Sequence, residues 1–165
     1  MIRVVVDDLA GVAADAVVRP ADQNLDPVTP AMSRLDRKAG DRFEVQRRVT
    51  TPLEAGAAVV TGSGDLKAPF VLHVVIRDPS SPVGRDVVRR ALVSAWQRAT
   101  DWGLGTIAAP LVGAGAGQLS MEEAASLLAE TFPRGVTERQ PAELCIVVER
   151  EEEREMVEAI LRRTT

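Results

Sequence analysis

The 165-residue chain has no tyrosine, and its three phenylalanines and two tryptophans make aromatics only 3% of the sequence. The core must therefore be built from Val, Leu, Ile and Ala, and ring platforms for stacking nucleobases are scarce. There is one cysteine, Cys145, set in an apolar run. A lone cysteine cannot close an internal disulfide, so a reducing, cytoplasmic compartment is expected. With a single histidine, His73, beside that single cysteine, no transition-metal cluster can be assembled, and neither a metal nor a cofactor is expected. No Ser-His-Asp arrangement follows from the spacing either. Ser63 and Ser120 sit where a turn and a helix cap are needed. Positive charge is not in excess: 20 Lys and Arg stand against 24 Asp and Glu, a net charge of −4. Binding to a nucleic-acid backbone needs clustered cations, so it is not expected. No apolar run approaches the ~20 residues of a membrane span. The opening MIRVVVDD is interrupted too soon to serve as a secretory signal.

What is present is an ordinary globular balance, 45% hydrophobic and 27% charged, and the length fits one domain over residues 1–165. Ile2–Val6 and Ala16–Val18 read as strands, the second ended by Arg19-Pro20 because proline cannot donate to a ladder. Ala21–Pro30 is turn-rich. Ala31–Ala39 reads as a helix closed by Gly40, with Pro30 suited to its first position. Ala57–Thr61 and Phe70–Ile76 are further strands, the latter apolar enough to be buried on both faces. Val88, Leu92, Ala95 and Ala99 recur at helical spacing within Arg85–Trp102, which Gly103 stops. Thr106–Ala109 is a strand. Ser120-Met121-Glu122-Glu123 is a capping-box pattern opening a helix that ends at Pro133. Glu143–Val148 and Glu151–Arg163 complete the chain as strand and helix. Strands separated by helices predict a three-layer α/β/α sandwich, with a mixed, mostly parallel sheet of about six strands.

The segment richest in chemistry joins the Thr106–Ala109 strand to the Ser120 helix. Gly113, Gly115 and Gly117 alternate with Ala114 and Ala116. Glycines there allow backbone angles that other residues avoid and let a ligand approach the main chain. Their amides can converge on an anion, helped by the positive end of the following helix. A phosphate or diphosphate suits such a loop. The loop is not a P-loop, since no Gly-Lys-Ser/Thr follows. It is not a dinucleotide fingerprint either, because it follows a late strand rather than the first. The plainer alternative is a tight strand-to-helix turn.

Taken together and in order, the segments resemble the macro domain family, which binds ADP-ribose. Val5-Val6-Asp7-Asp8-Leu9 resembles the family's Gly-Asp-Ile-Thr opening. Asp15-Ala16-Val17-Val18-Arg19-Pro20-Ala21-Asp22 resembles its Asp-Ala-Ile-Val-Asn-Ala-Ala-Asn. Glu54–Gly62, Phe70–Val75 and Ile107–Gly115 resemble later stretches. The resemblance implies a ligand that is ADP-ribose or an ADP-ribosylated molecule. It implies that Asp8 accepts from the adenine amino group and that Leu9 contacts the base. It also sets Ala21 and Asp22 near the distal ribose. Val112, Gly113, Ala114, Gly115, Ala116 and Gly117 would hold the diphosphate, and Glu149 would stand where many relatives stack an aromatic on adenine.

The departures from the pattern are specific. The family's two asparagines are Arg19 and Asp22 here, and an aspartate cannot donate as an amide does. A glycine-rich first loop is replaced by Pro27-Val28-Thr29-Pro30-Ala31-Met32, with Met32 at an acidic position. Three readings stay open. One is a module that binds ADP-ribose or a related nucleotide diphosphate. Another is an ADP-ribosyl hydrolase acting on an ester or phosphate, for which Asp22 is the candidate catalytic residue. The last is a macro-fold scaffold that has lost its ligand. The sequence does not say which oligomer the chain forms.

Overall fold

The computed structural model describes residues 1–115, 119–135 and 140–164. The chain runs through β1 (Ile2–Val6), β2 (Ala16–Asp22), α1 (Pro30–Ala39), α2 (Asp41–Gln46), β3 (Ala58–Gly62) and β4 (Phe70–Arg77). It continues through α3 (Arg85–Trp102), β5 (Thr106–Ala109), α4 (Met121–Thr131), β6 (Glu143–Val148) and α5 (Glu151–Thr164). One sheet of six strands has the order β1-β6-β5-β2-β4-β3. Only β3 runs antiparallel to its neighbour; the other pairs are parallel.

The alternation of side chains along each strand divides the core into two layers. Val18, Leu72, Ile107 and Ile146 meet Val88 and Leu92 of α3, Leu128 of α4 and Ile160 of α5 in one cluster. Val17, Val71, Ala108 and Cys145 meet Met32 and Leu35 of α1 and Phe43 of α2 in the other. Helices thus cover both faces, giving the α/β/α sandwich. Each fully buried Leu, Val or Ile in these layers contributes about 1.5–3 kcal/mol. The aromatics serve packing: Trp96 donates its indole N–H to Thr131 Oγ1 at 3.0 Å and meets Phe132 edge-on. The half-exposed Trp102 packs on Phe70.

Local chemistry explains the boundaries. Thr29 caps α1 by accepting from the Met32 amide at 3.3 Å, with Pro30 in the first turn. Gly103 ends α3 in the left-handed region at φ 67°. Ser120 and Glu123 form the reciprocal capping box of α4. Two elements differ from the sequence expectation. β2 does not stop at Arg19-Pro20 but continues to Asp22, pairing with β4 throughout. Beyond Val17 it has no β5 partner, so a residue lacking an N–H is tolerated on its open side. The other is α2, which has one buried residue, Phe43, too little periodicity to register in sequence.

Candidate functional site

A cleft of about 730 Å³ opens across the carboxyl ends of the parallel strands, where open α/β sheets place their ligands. The strand order lays out its lining. At one end, at and beyond the ends of β1 and β6, stand Asp7, Asp8 and Leu9 with Val148, Glu149 and Glu153. In the middle, beyond β5, run Pro110, Leu111 and Gly113–Gly115. At the other end stand Pro20 and Ile76, in the last residues of β2 and β4 before those strands end. Helix α1 and its leading loop roof the cleft with Val28, Thr29, Met32, Arg34 and Lys38.

The glycine loop is fixed by sterics. Gly113 has φ 94°, and a Cβ there would lie 2.6 Å from Leu119 Cδ1 and 3.2 Å from Val88 Cγ2. Gly115 has φ 79°, but a Cβ there would meet only Thr29 Cγ2, at 3.7 Å. Gly113 is therefore demanded by both angle and packing, whereas Gly115 faces the cleft across from the α1 cap. The Ala114 amide closes a turn onto Leu111 O at 3.2 Å. Left-handed angles at alternate positions are the backbone pattern of an anion-binding nest, here at Gly113 and Gly115. The capping box of α4 uses the Glu123 amide, so the helix brings its dipole and the two amides before Glu123 rather than a full free turn.

The β1–β6 end is charged. Asp8 accepts from the Ala10 amide at 3.0 Å and is ion-paired with Lys38. Together with Arg34, these hold its carboxyl below the usual aspartate range, the Lys38 hydrogen bond being the largest cause. Arg34 Nη2 donates to Glu149 Oε1 at 3.0 Å. Two ion pairs thus cross the mouth from α1 to the strand ends.

Of the residues singled out in sequence, Asp8, Leu9, Gly113, Ala114, Gly115 and Glu149 line this one cleft. Asp22 does not. Its Oδ1 accepts from the Asn24 and Asp26 amides at 2.9 and 3.0 Å, which ties that oxygen to its own turn. Ala21 is buried against Leu25 and Val75, and Val112 is buried in the α3 layer; neither lines the cleft. Ala116 and Gly117 lie outside the described residues. Arg34 and Lys38 were not singled out. Their four-residue spacing on the last turns of α1 was visible, but their partners are remote in the chain.

Between the sheet and α1, Arg19 makes a second charged group that does not line the cleft. It is fully buried and forks onto Asp36, with Nε and Nη2 donating at 2.8 and 2.7 Å. Its Nη1 donates to Leu25 O at 2.8 Å. It also meets His73 Nδ1 at 3.2 Å. A guanidinium only donates, so Nδ1 is the acceptor and the proton sits on Nε2, facing Thr61 Oγ1 at 2.7 Å. Burial first, then Arg19 and Arg47, push the His73 pKa well below its usual value. The Leu25 carbonyl held by Arg19 also accepts from Arg47 at 2.9 Å, which fixes Leu25 at φ 61°. The arginine standing where the resemblance has an asparagine is thus an interior anchor for the first loop.

The family model of the macro domain matches residues 18–128. The chain belongs to the macro domain family. An uncharacterized protein of Aeropyrum pernix is 32% identical over 142 residues, covering 81% of this macro domain and 75% of that protein. One of Aquifex aeolicus is 30% identical over 159 residues, covering 96% and 94%. In structure, the Trypanosoma brucei macrodomain in complex with ADP superposes with TM-score 0.83 at 20% identity, covering 97% of this chain and 68% of that one. A mutant Oceanobacillus iheyensis macrodomain with ADPR gives 0.80 at 18%, covering 97% and 91%. These structural likenesses establish the macro domain fold.

Proposed function

We propose that this macro domain binds ADP-ribose or a related adenine nucleotide diphosphate in the cleft, with the glycine loop holding the diphosphate and Asp8 accepting from the adenine amino group. The observation that carries this reading is the Gly113–Gly115 loop. Its left-handed glycines open onto a cleft that has no described lysine or arginine at its centre, so backbone amides supply the anion contacts. Complexes of structurally similar macrodomains with ADP and ADPR support the ligand class. Asp8, kept ionised by Lys38 and the Ala10 amide, is a constant acceptor at neutral pH.

Binding is favoured over hydrolysis. The candidate catalytic group, Asp22, has its carboxylate bound to the Asn24 and Asp26 amides, and Met32 stands at the roof where an acid would orient water. The test is calorimetric titration with ADP-ribose, with AMP and ribose 5-phosphate as controls. Micromolar binding, about −8 kcal/mol, is expected for ADP-ribose, with both fragments at least tenfold weaker and no product formed. Product formation would move the assignment to hydrolysis. No heat and no thermal stabilisation at millimolar ligand would leave the fold as a scaffold.

A further inference from the structure

We infer that Arg34 is the residue that covers the adenine ring, its guanidinium lying flat against the base while the Glu149 carboxylate holds it across the cleft. This rests on the nucleotide reading above and gives the base its platform.

Helix α1 crosses the cleft from the glycine loop to Asp8. At its start, Thr29 Cγ2 stands 3.7 Å from where a Cβ on Gly115 would be, so the cap lies opposite the loop assigned to the diphosphate. Near its end, Lys38 pairs with Asp8, the acceptor assigned to the adenine amino group. Between these two crossings, Arg34 Nη2 donates to Glu149 Oε1 at 3.0 Å. The helical rise sets Arg34 about 7.5 Å from Thr29 along the axis and about 6 Å from Lys38. The second span matches a purine from its amino group to its glycosidic nitrogen, and the first leaves room for the ribose and its phosphates. A base with its amino group at Asp8 therefore passes beside Arg34.

The face of that base needs a flat partner, and every aromatic ring of the chain is committed elsewhere. Phe43 stacks on the buried His73, Phe70 meets Trp102, and Trp96 meets Phe132. These five are all the Phe and Trp in a sequence without tyrosine, and none of them lines the cleft. The strand side of this end is aliphatic, with Leu9, Val148 and a Val6 left 43% exposed at the last position of β1. The α1 side carries Arg34, Leu35 and Lys38. Leu35 is buried in the α1 layer, and Lys38 is a point charge already paired with Asp8. The guanidinium of Arg34 is planar, weakly hydrated and suited to stacking on a π-face, as it does on unpaired bases. Its hydrogen bond to Glu149 lies in the guanidinium plane, so the pair occupies an edge and not a face. Glu149 is itself tied to the start of α5, its amide donating to Glu153 Oε1 at 3.2 Å. Both side chains of the pair are at least half exposed, so the guanidinium can settle on a base at little cost to the fold.

The experiment is calorimetric titration of the full chain, Arg34→Ala and Arg34→Lys with ADP-ribose, with melting temperatures to show that each variant is folded. Arg34→Ala is expected to bind about fivefold more weakly or worse, the loss of a stacked cation over a base. Arg34→Lys keeps the charge and loses the plane, so its affinity should lie closer to that of Arg34→Ala than to that of the unmodified chain. A lysine variant closer to the unmodified chain makes Arg34 a charge for the phosphates and overturns the inference. Unchanged affinity in Arg34→Ala overturns it too, and both results leave the nucleotide reading intact. Absence of heat with the unmodified chain removes the nucleotide reading and the inference with it. A second measurement follows the Arg34 Hδ resonances by NMR as ADP-ribose is added. Protons above the face of a ring are shielded, so these resonances should move upfield. A downfield or absent shift at saturation overturns the stacking.

Discussion

Helix α1 takes part in two charged groups that are alike in distance and differ in everything else. Asp36, on its inner face, meets Arg19 at 2.7 Å with both side chains almost wholly buried. Arg34 and Lys38, on its outer face, meet Glu149 and Asp8 with all four side chains at least half exposed. The inner pair has lost its water and is held only by its partners. The outer pairs keep theirs. A buried pair is costly to break but adds little over an apolar replacement, whereas an exposed pair is nearly free to form or lose. Interior charge therefore specifies the shape of the first loop, and the charge at the mouth remains available to a ligand.

The largest effect that follows is from Asp36→Ala. It strands the Arg19 guanidinium in the core, so equilibrium denaturation should show a loss of about 3–5 kcal/mol. The double variant Arg19→Met, Asp36→Leu removes both charges and should recover most of that loss. If it is no more stable than the single variant, the pair is more than a shape-setting contact. Arg47 gives the cluster a second cation, 3.8 Å from the same carboxylate. Part of the cost therefore comes from two arginines left facing one another.

Next in size is a dependence on pH, and its sign is fixed by the tautomer of His73. Nδ1 accepts from Arg19, so a second proton would set two donors head to head. The folded pKa lies well below the ordinary 6.5. Above pH 6.5 both folded and unfolded chains carry a neutral ring, and stability is unaffected. Below it the unfolded chain takes up a proton that the folded one refuses. Stability should fall by up to about 1.4 kcal/mol per pH unit until the folded pKa is reached. Denaturation at pH 7, 6 and 5 checks this, and His73→Gln should flatten the slope. An equal slope in that variant would place the titration elsewhere.

How far these features were legible in sequence depends on the distance over which they are set. The helical spacing of Val88, Leu92, Ala95 and Ala99, the Gly103 stop and the Ser120–Glu123 box are local, and they predicted α3 and α4. The fold class followed from the alternation of such elements. Pro20 misled because a local rule about ladders could not know that β2 has an open side there. Phe43 was too isolated to announce α2. At the cleft, the glycine loop was legible because its constraint is carried by the backbone of consecutive residues. The fate of Asp22 was decided by amides two and four residues on, an arrangement that many loops permit. Arg19 and Asp36, or Lys38 and Asp8, are brought together only by the sheet and α1, and nothing in either neighbourhood named the partner.

The ligand contacts give a smaller effect on stability and a larger one on binding. Gly115→Glu would place a carboxylate in the hollow proposed to hold the diphosphate, at a position that already has φ 79°. Affinity for ADP-ribose should fall at least a hundredfold, about 2.7 kcal/mol, while an unchanged affinity would remove the loop from the site. Asp8→Ala, by contrast, should weaken adenine-containing ligands and leave ribose 5-phosphate almost untouched. Equal losses would detach Asp8 from the base.

The smallest expected effect is also the sharpest test of the contrast between the two faces of α1. Lys38→Ala deletes an ion pair as direct as that of Arg19, yet both partners stand in water. Its cost in denaturation should stay within about 0.5 kcal/mol. What should change is Asp8. Its largest source of pKa depression is the Lys38 hydrogen bond, so carboxyl NMR titration should show its midpoint moving up toward the ordinary aspartate value. The Ala10 amide and Arg34 remain, so the return should be incomplete. Asp8 would still be ionised at neutral pH, with one oxygen released from Lys38 and open to an adenine amino group. ADP-ribose should then bind no more weakly than to the unmodified chain. A loss of stability above about 1 kcal/mol, or a stationary Asp8 midpoint, would mean that the outer pair is as structural as the inner one.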